Sequence, residues 1–341
     1  MRPFATLALV TLLSAATPIA SASSFSSIVV YGDSLSDNGN LYALTGEPGA
    51  PYVDGLFSNG PVAVQQLSAL LSTPLVDFAY GGATTGIGNI GDGGTPSSFG
   101  AFHLPGMQTE LALSAGVVPP AVIPSSLFIV WGGADDFESL TSPTIAESEA
   151  AADAAVSNID GIVAALKLEG ATNILVPNLP DLGSTPEFSG NAAAIAYSNT
   201  FDSALAVTLP SGATLFDTYA LFNEILADPN AYGFTNTTTP CIVAAANPTC
   251  TGYLFFDDTH HRSRHHPRRR LRGSRSTHPR ALLTTTTRHS PGSRHRVAPP
   301  PQANPPSLEL HWPTTLWTSF YSVSSTDGFL PFANVRAICP A

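Results

Sequence analysis

Ser27-Ile28-Val29-Val30-Tyr31-Gly32-Asp33-Ser34-Leu35-Ser36-Asp37-Asn38-Gly39-Asn40 is the stretch that decides the fold. After Ser27 come four β-branched or aromatic residues, the composition of a strand buried on both faces. The run ends in a glycine, which lets the backbone turn sharply. Ser34 is therefore expected exposed at the carboxyl end of a strand, where open parallel sheets place their ligands. Outward from this strand the chain alternates short β-rich runs with helical stretches. Further strands are expected at residues 75–79, 126–131, 173–177 and 214–217. Between them, the run from Pro61 to Leu71 has proline at its expected first helical position, after the turn Ser58-Asn59-Gly60. Residues 144–168 carry Ala154, Ala155, Ile159, Ile162, Val163 and Leu166 on one stripe and end at Gly170; residues 192–209 repeat the pattern before Pro210. Strand and helix in alternation predict an α/β fold, a parallel sheet with helices on both faces, as one domain over residues 23–260.

The other end of that domain supplies complementary chemistry. The first 260 residues hold only two histidines, His103 and His260, and the second closes Gly252-Tyr-Leu-Phe-Phe-Asp-Asp-Thr-His260. Asp257 stands three residues before it, so a short turn lets the carboxylate hold one ring nitrogen while the other faces a hydroxyl. Ser34 as nucleophile, His260 as general base and then acid, and Asp257 as orienting carboxylate form the arrangement of an ester hydrolase. The backbone N–H groups of Ser34 and Gly82 are the expected oxyanion donors, Gly82 because Asp77-Phe-Ala-Tyr-Gly-Gly-Ala83 puts flexible glycines directly after the second strand. Taken singly, a serine after Gly-Asp is more often a turn or cap; the conjunction carries the reading. His103, in Phe102-His-Leu-Pro105, reads as a loop residue. Cys241 and Cys250 enclose a short loop upstream of His260 and are expected to pair, the alternative being two buried thiols, with Cys339 left over.

Charge divides the chain sharply. Residues 1–260 carry 23 acidic side chains against Arg2 and Lys167, whereas the remainder carries 12 arginines against Glu309 and Asp327. The acidic part would be repelled by nucleic acid and by anionic membranes, which leaves neutral substrates. At the amino end, Arg2, an apolar run, Pro18 and Ala20-Ser21-Ala22 have the layout of a secretory signal peptide over residues 1–22. Its apolar run is too short and broken for a permanent membrane anchor, and secretion to an extracellular or periplasmic compartment is expected. After His260 the composition changes to His261-Arg-Ser-Arg-His-His-Pro-Arg-Arg-Arg270, and no apolar period follows through Gln302. Residues 261–341 are read as a basic tail without a packed core, either disordered or the product of a shifted reading frame or exon boundary. Its histidines are interleaved with arginines and joined by no carboxylate or cysteine, so no metal site is expected.

These blocks resemble the SGNH, or GDSL, esterase/lipase hydrolases, in particular their secreted members. The resemblance rests on Gly32-Asp-Ser-Leu-Ser-Asp-Asn-Gly-Asn40, Phe57-Ser-Asn-Gly-Pro61, Gly81-Gly-Ala-Thr84, Val176-Pro-Asn-Leu-Pro-Asp-Leu-Gly183 and Asp257-x-x-His260, and covers about residues 26–260. It implies a flavodoxin-like three-layer α/β/α sandwich, Ser34 as nucleophile, Gly82 in the oxyanion hole, Asp257 and His260 completing the triad, and no metal or organic cofactor. The serine lacks the Gly-x-Ser-x-Gly elbow of the α/β-hydrolases. Two departures stand out. The family's third block is Gly-x-Asn-Asp, with an asparagine donating to the oxyanion; here Gly133-Ala134-Asp135-Asp136 puts Asp135 at that place. An ionised carboxylate cannot donate, although a protonated one can. The family also continues past the histidine with a proline and a helix, where this chain enters its arginine run.

The expected activity is hydrolysis of carboxylic esters through an acyl-enzyme. Short acyl esters, such as acetyl groups on carbohydrate, suit an acidic domain without an evident amphipathic lid. Lipid esters, the alternative, suit the apolar loop around Phe99, Phe102 and Leu104. A catalytically weak or dead binding module is the third reading, motivated by Asp135 and the aberrant tail.

Overall fold

The computed structural model describes residues 25–243 and 250–258. Residues 1–24, 244–249 and 259–341 lie outside them, and with these the expected signal segment, the basic tail and His260. Five strands, β1 (Ile28–Gly32), β2 (Leu75–Asp77), β3 (Leu127–Trp131), β4 (Asn173–Pro177) and β5 (Ala213–Phe216), pair in parallel in the order β2-β1-β3-β4-β5. Each matches a strand read from the sequence to within two residues. This order reverses direction between β1 and β3, and such a switch opens a crevice at the carboxyl ends of those two strands.

The helices are α1 (Asn40–Thr45), α2 (Ala63–Leu71), α3 (Met107–Ser114), α4 (Ala134–Glu138), α5 (Ile145–Leu168), α6 (Ala192–Thr208) and α7 (Thr218–Ala227). Side chains alternate across a strand, so β1, β3 and β4 each feed two layers. Val29 and Tyr31, Phe128 and Val130, and Ile174 and Val176 pack with Met107 of α3, the stripe of α5 and Tyr197, Phe201 and Leu205 of α6. Ile28, Val30, Leu127, Ile129 and Leu175 point the opposite way and are equally buried. Burial on both faces is what a parallel sheet between helical layers requires. The flavodoxin-like α/β sandwich follows from that packing.

Two details differ from the sequence reading. Helix α2 starts at Ala63, with Val62 rather than Pro61 at its boundary, because the Gln65 carboxamide oxygen reaches back to accept from the Val62 N–H at 2.9 Å. On α5 the buried stripe runs through Ala152, Ala155 and Val156, while Ala154 faces solvent. That helix is capped as its sequence suggests: Glu147 N–H donates to Thr144 Oγ1, and Thr144 N–H donates to Glu147 Oε2. Among the described residues no helix is long and apolar enough to cross a membrane.

Candidate active site

The turn after β1 is closed by Asp33. Its carbonyl accepts from the Ser36 and Asp37 N–H groups at 3.0 and 2.9 Å, and its carboxylate accepts from Leu35 N–H at 3.0 Å. Gly32 approaches β3 so closely that a Cβ there would lie 2.4 Å from the Trp131 carbonyl oxygen. This tight winding draws Ser34 down among the strand ends. It is 6% exposed, where the sequence reading had it projecting into solvent. Among the described residues no hydrogen bond uses the Ser34 N–H.

The loop after β2 is tied to this turn by buried carboxylates. Glu110 of α3 accepts from Gly32 N–H at 2.9 Å with one oxygen and from Tyr80 N–H at 3.1 Å with the other. Asp37 accepts from Gly39, Asn40 and Leu41 and, at 2.8 Å, from Gly81 N–H. Gly82 follows with φ +83°, and a Cβ there would lie 2.6 Å from Asn89 Oδ1, so only glycine fits. Asn89 in turn donates to the Gly81 carbonyl, and Ile90 N–H donates to the Gly82 carbonyl. The Gly82 N–H, like that of Ser34, is used by no hydrogen bond among the described residues. Two such N–H groups at neighbouring strand ends suit a developing oxyanion.

After β3 the chain passes Gly133, whose carbonyl accepts from the buried Tyr197 hydroxyl at 2.6 Å, and enters α4 with Asp135 and Asp136 in its first turn. Both are buried. Asp136 accepts from the Thr85 N–H and hydroxyl at 2.7 and 2.6 Å, which pins the loop carrying Gly82 to the end of β3.

Asp257 is 2% exposed. Cys241 and Cys250 are joined as a disulfide, and Cys241 and Ile242 N–H groups donate to the Phe255 and Phe256 carbonyls, so the bridged loop abuts the segment entering Asp257. Asp257 Oδ2 accepts from the Tyr52 hydroxyl at 2.6 Å. Tyr52 also meets Phe57 edge-on at 6.0 Å, and the Phe57 ring occupies the space that a Cβ on Gly81 would need. Asp257 is thus linked by contacts to the Gly81-Gly82 loop. His260 lies outside the described residues, so of the three residues expected to form a triad only Ser34 and Asp257 are described. The strand order brings Ser34, Gly82 and Asp135 to the ends of three adjacent strands. His103 is in an exposed loop with φ +57°, stacked on Phe99.

Burial without cations sets the electrostatics. Lys167 is the only lysine or arginine of the described residues, and its ammonium donates to the Ser211 carbonyl, near the amino end of β5. Burial pushes Asp136 up to about 7 against the pull of Thr85, with Asp135 adding to the rise, and pushes Asp202 up to about 8 against the bond from Leu179. Glu110 and Asp77 are raised well above the usual range by burial, opposed by backbone donors. Between pH 4 and 8 the folded state therefore binds more protons than the unfolded chain. Stability must then fall as pH rises through that window. The thermal midpoint is expected to drop by on the order of 5 °C from pH 5 to pH 8. A scan that stays flat or climbs over that range contradicts these assignments.

Asp37, Glu110, Asn89, Thr85 and Tyr52 were given no role from sequence. One signal was present: with so few cations, an acid such as Glu110, the only one in an otherwise uncharged helix, must be satisfied by backbone donors if buried.

A family model described as GDSL-like Lipase/Acylhydrolase matches residues 28–267. The chain is 30% identical over 231 residues to phosphatidylcholine-sterol acyltransferase of Aeromonas hydrophila, covering 64% of this chain and 65% of that one. It is 28% identical over 230 residues to thermolabile hemolysin of Vibrio parahaemolyticus serotype O3:K6, covering 63% and 51%. The chain therefore spans only about half to two thirds of these relatives' length. Among solved structures, a carbohydrate acetylesterase from Sinorhizobium meliloti is 16% identical, covering 58% of this chain and 84% of that one, with a TM-score of 0.36.

Proposed function

The chain belongs to the GDSL-like lipase/acylhydrolase family, and from that premise we propose that it hydrolyses carboxylic esters through an acyl-enzyme on Ser34. The observation that carries this reading is the pair of backbone N–H groups, at Ser34 and Gly82, left unengaged among the described residues at adjacent strand ends beside a buried serine. The Ser34 hydroxyl oxygen attacks the ester carbonyl as His260 takes its proton, and the oxyanion receives the two N–H donors. Collapse breaks the bond to the alkoxide, which leaves with the proton from His260. Water, deprotonated by His260, then attacks the acyl-enzyme, and Ser34 recovers its proton as the acid departs. Asp257 holds the imidazole in the tautomer this cycle needs and stabilises its cation.

For the acyl group, lipid esters are favoured over the short acyl esters that composition suggested. Asp92 accepts from Phe102 and Leu104 N–H groups and so presents a loop, continuous with the Gly82–Asn89 segment, on which Phe102 is 79% exposed beside Phe99. Exposed apolar side chains of that kind suit an acyl chain. The name of the Aeromonas relative, a phosphatidylcholine-sterol acyltransferase, points the same way. Export by residues 1–22 belongs to the same proposal, and the disulfide is of the kind that persists in an oxidising compartment.

Fluorophosphonate labelling, followed by nitrophenyl esters of about two to twelve carbons and phosphatidylcholine vesicles, tests both levels. Labelling with rates that rise with acyl length and fatty-acid release from vesicles supports the lipid reading. Preference for acetyl esters, with release of acetate from acetylated carbohydrate, would instead support the short-acyl reading. A folded chain that does not label is a binding module.

A further inference from the structure

We propose that Tyr52 is a positioning residue for the acid-base pair: its phenol, donating to Asp257, aims that carboxylate. The inference rests on the triad reading of Asp257 and His260 and goes beyond it, since Tyr52 comes from the segment between α1 and α2, 205 residues from its partner in sequence.

Asp257 is almost wholly buried, and a buried carboxylate must be compensated if it is to remain charged. Triads of this type need that charge, because it is the anion that stabilises the imidazolium. Acids crowd this segment: Asp258 is adjacent, its pKa raised by burial and then by the charges of Asp257 and Glu187, and the Glu187 N–H donates to the Asp258 carbonyl. The Tyr52 hydroxyl donates to Oδ2 at 2.6 Å. A carboxylate offers about four acceptor sites, so this bond leaves capacity for an imidazole N–H.

The phenol is also well fixed. Its ring meets Phe256, the residue before Asp257, edge-on at 5.3 Å, and packs with Cys241 and Cys250 in one cluster. On its other side stands Phe57, against Gly81. The same ring therefore spans from the segment carrying the acid to the loop carrying an oxyanion donor. Burial, and then the charge of Asp257, push the phenol's pKa up, so it remains a donor throughout the working range.

Tyr52→Phe keeps the ring and removes only the hydroxyl. Without that donor the pair binds its first proton more tightly, whichever partner carries it. The acidic limb of the kcat/KM profile on a soluble nitrophenyl ester should move up by about one pH unit, and kcat should fall about tenfold with little change in KM. A purely structural tyrosine would change yield or thermal midpoint and leave the limb in place. Difluorotyrosine at position 52 keeps the hydroxyl and strengthens the bond, and should move the limb down; this second arm holds even if Tyr52→Phe folds poorly. If Asp257→Asn retains near-normal kcat, the triad reading fails, and this proposal with it. If Asp257→Asn and His260→Ala are inactive yet neither change at 52 moves the limb, only the role of Tyr52 is overturned.

Discussion

Replacing Ser34 by alanine is expected to lower kcat for ester hydrolysis by about a millionfold, the loss typical of removing a nucleophile whose partners remain in place. Fluorophosphonate labelling should vanish with it. The substitution removes one oxygen from a residue held by backbone turns rather than by its side chain, so the fold should survive: Asp33 makes the bonds that close the turn, and Glu110 and Asp37 tie it to the next loop. An unchanged thermal midpoint would show this. His260→Ala should cost about as much, and the double variant scarcely more, because base and nucleophile act as a unit. Hydrolysis within about tenfold of the parent after Ser34→Ala would mean another nucleophile, and the proposed acyl-enzyme would fall.

Asp135→Asn is expected to act in the opposite direction. An amide donates at every pH, a carboxyl only when protonated, and one oxyanion donor is worth about a hundredfold or more in kcat. Turnover should therefore rise, most of all at alkaline pH, with a smaller gain in acid. Asp135 is well placed for the effect to be read: it is buried in the first turn after β3, the strand next to the one that delivers Ser34. Its neighbour Asp136 must not be changed in the same experiment, because it anchors Thr85 and with it the loop of Gly82. A rate that is unchanged or lower in mildly alkaline buffer would remove position 135 from the oxyanion hole and leave the Ser34 and Gly82 N–H groups as its donors.

The five strands and the helices α2, α5 and α6 were legible in the sequence, because a sheet buried on both faces writes itself as short apolar runs and its longer helices as stripes; the helices α1, α3, α4 and α7 were not read. The central strands were the plainest: Ile28 to Tyr31 and Leu127 to Trp131 are too short for helices and too apolar for loops, and both are buried throughout. The small errors fell at boundaries, where a side chain rather than the pattern decides. Gln65 set the start of α2, and the sequence offered Pro61 as the more obvious candidate. The depth of Ser34 was also illegible, since it depends on how tightly Asp33 winds the turn. Within the candidate site, the sequence reading named residues that belong to short motifs and passed over those that hold them from a distance. Asp257 announces itself by its spacing from His260. Tyr52 and Glu110 act through one bond or two to partners far along the chain, and no local pattern records a pairing of that kind.

Glu110 works as a yoke. One carboxylate grips the chain just ahead of Ser34 and just ahead of Gly82, two loops that come from different strands. A displacement of α3 would therefore carry both loops the same way rather than apart. Under the proposed mechanism, that shared hold would keep the spacing between the attacking oxygen of Ser34 and the receiving amide of Gly82.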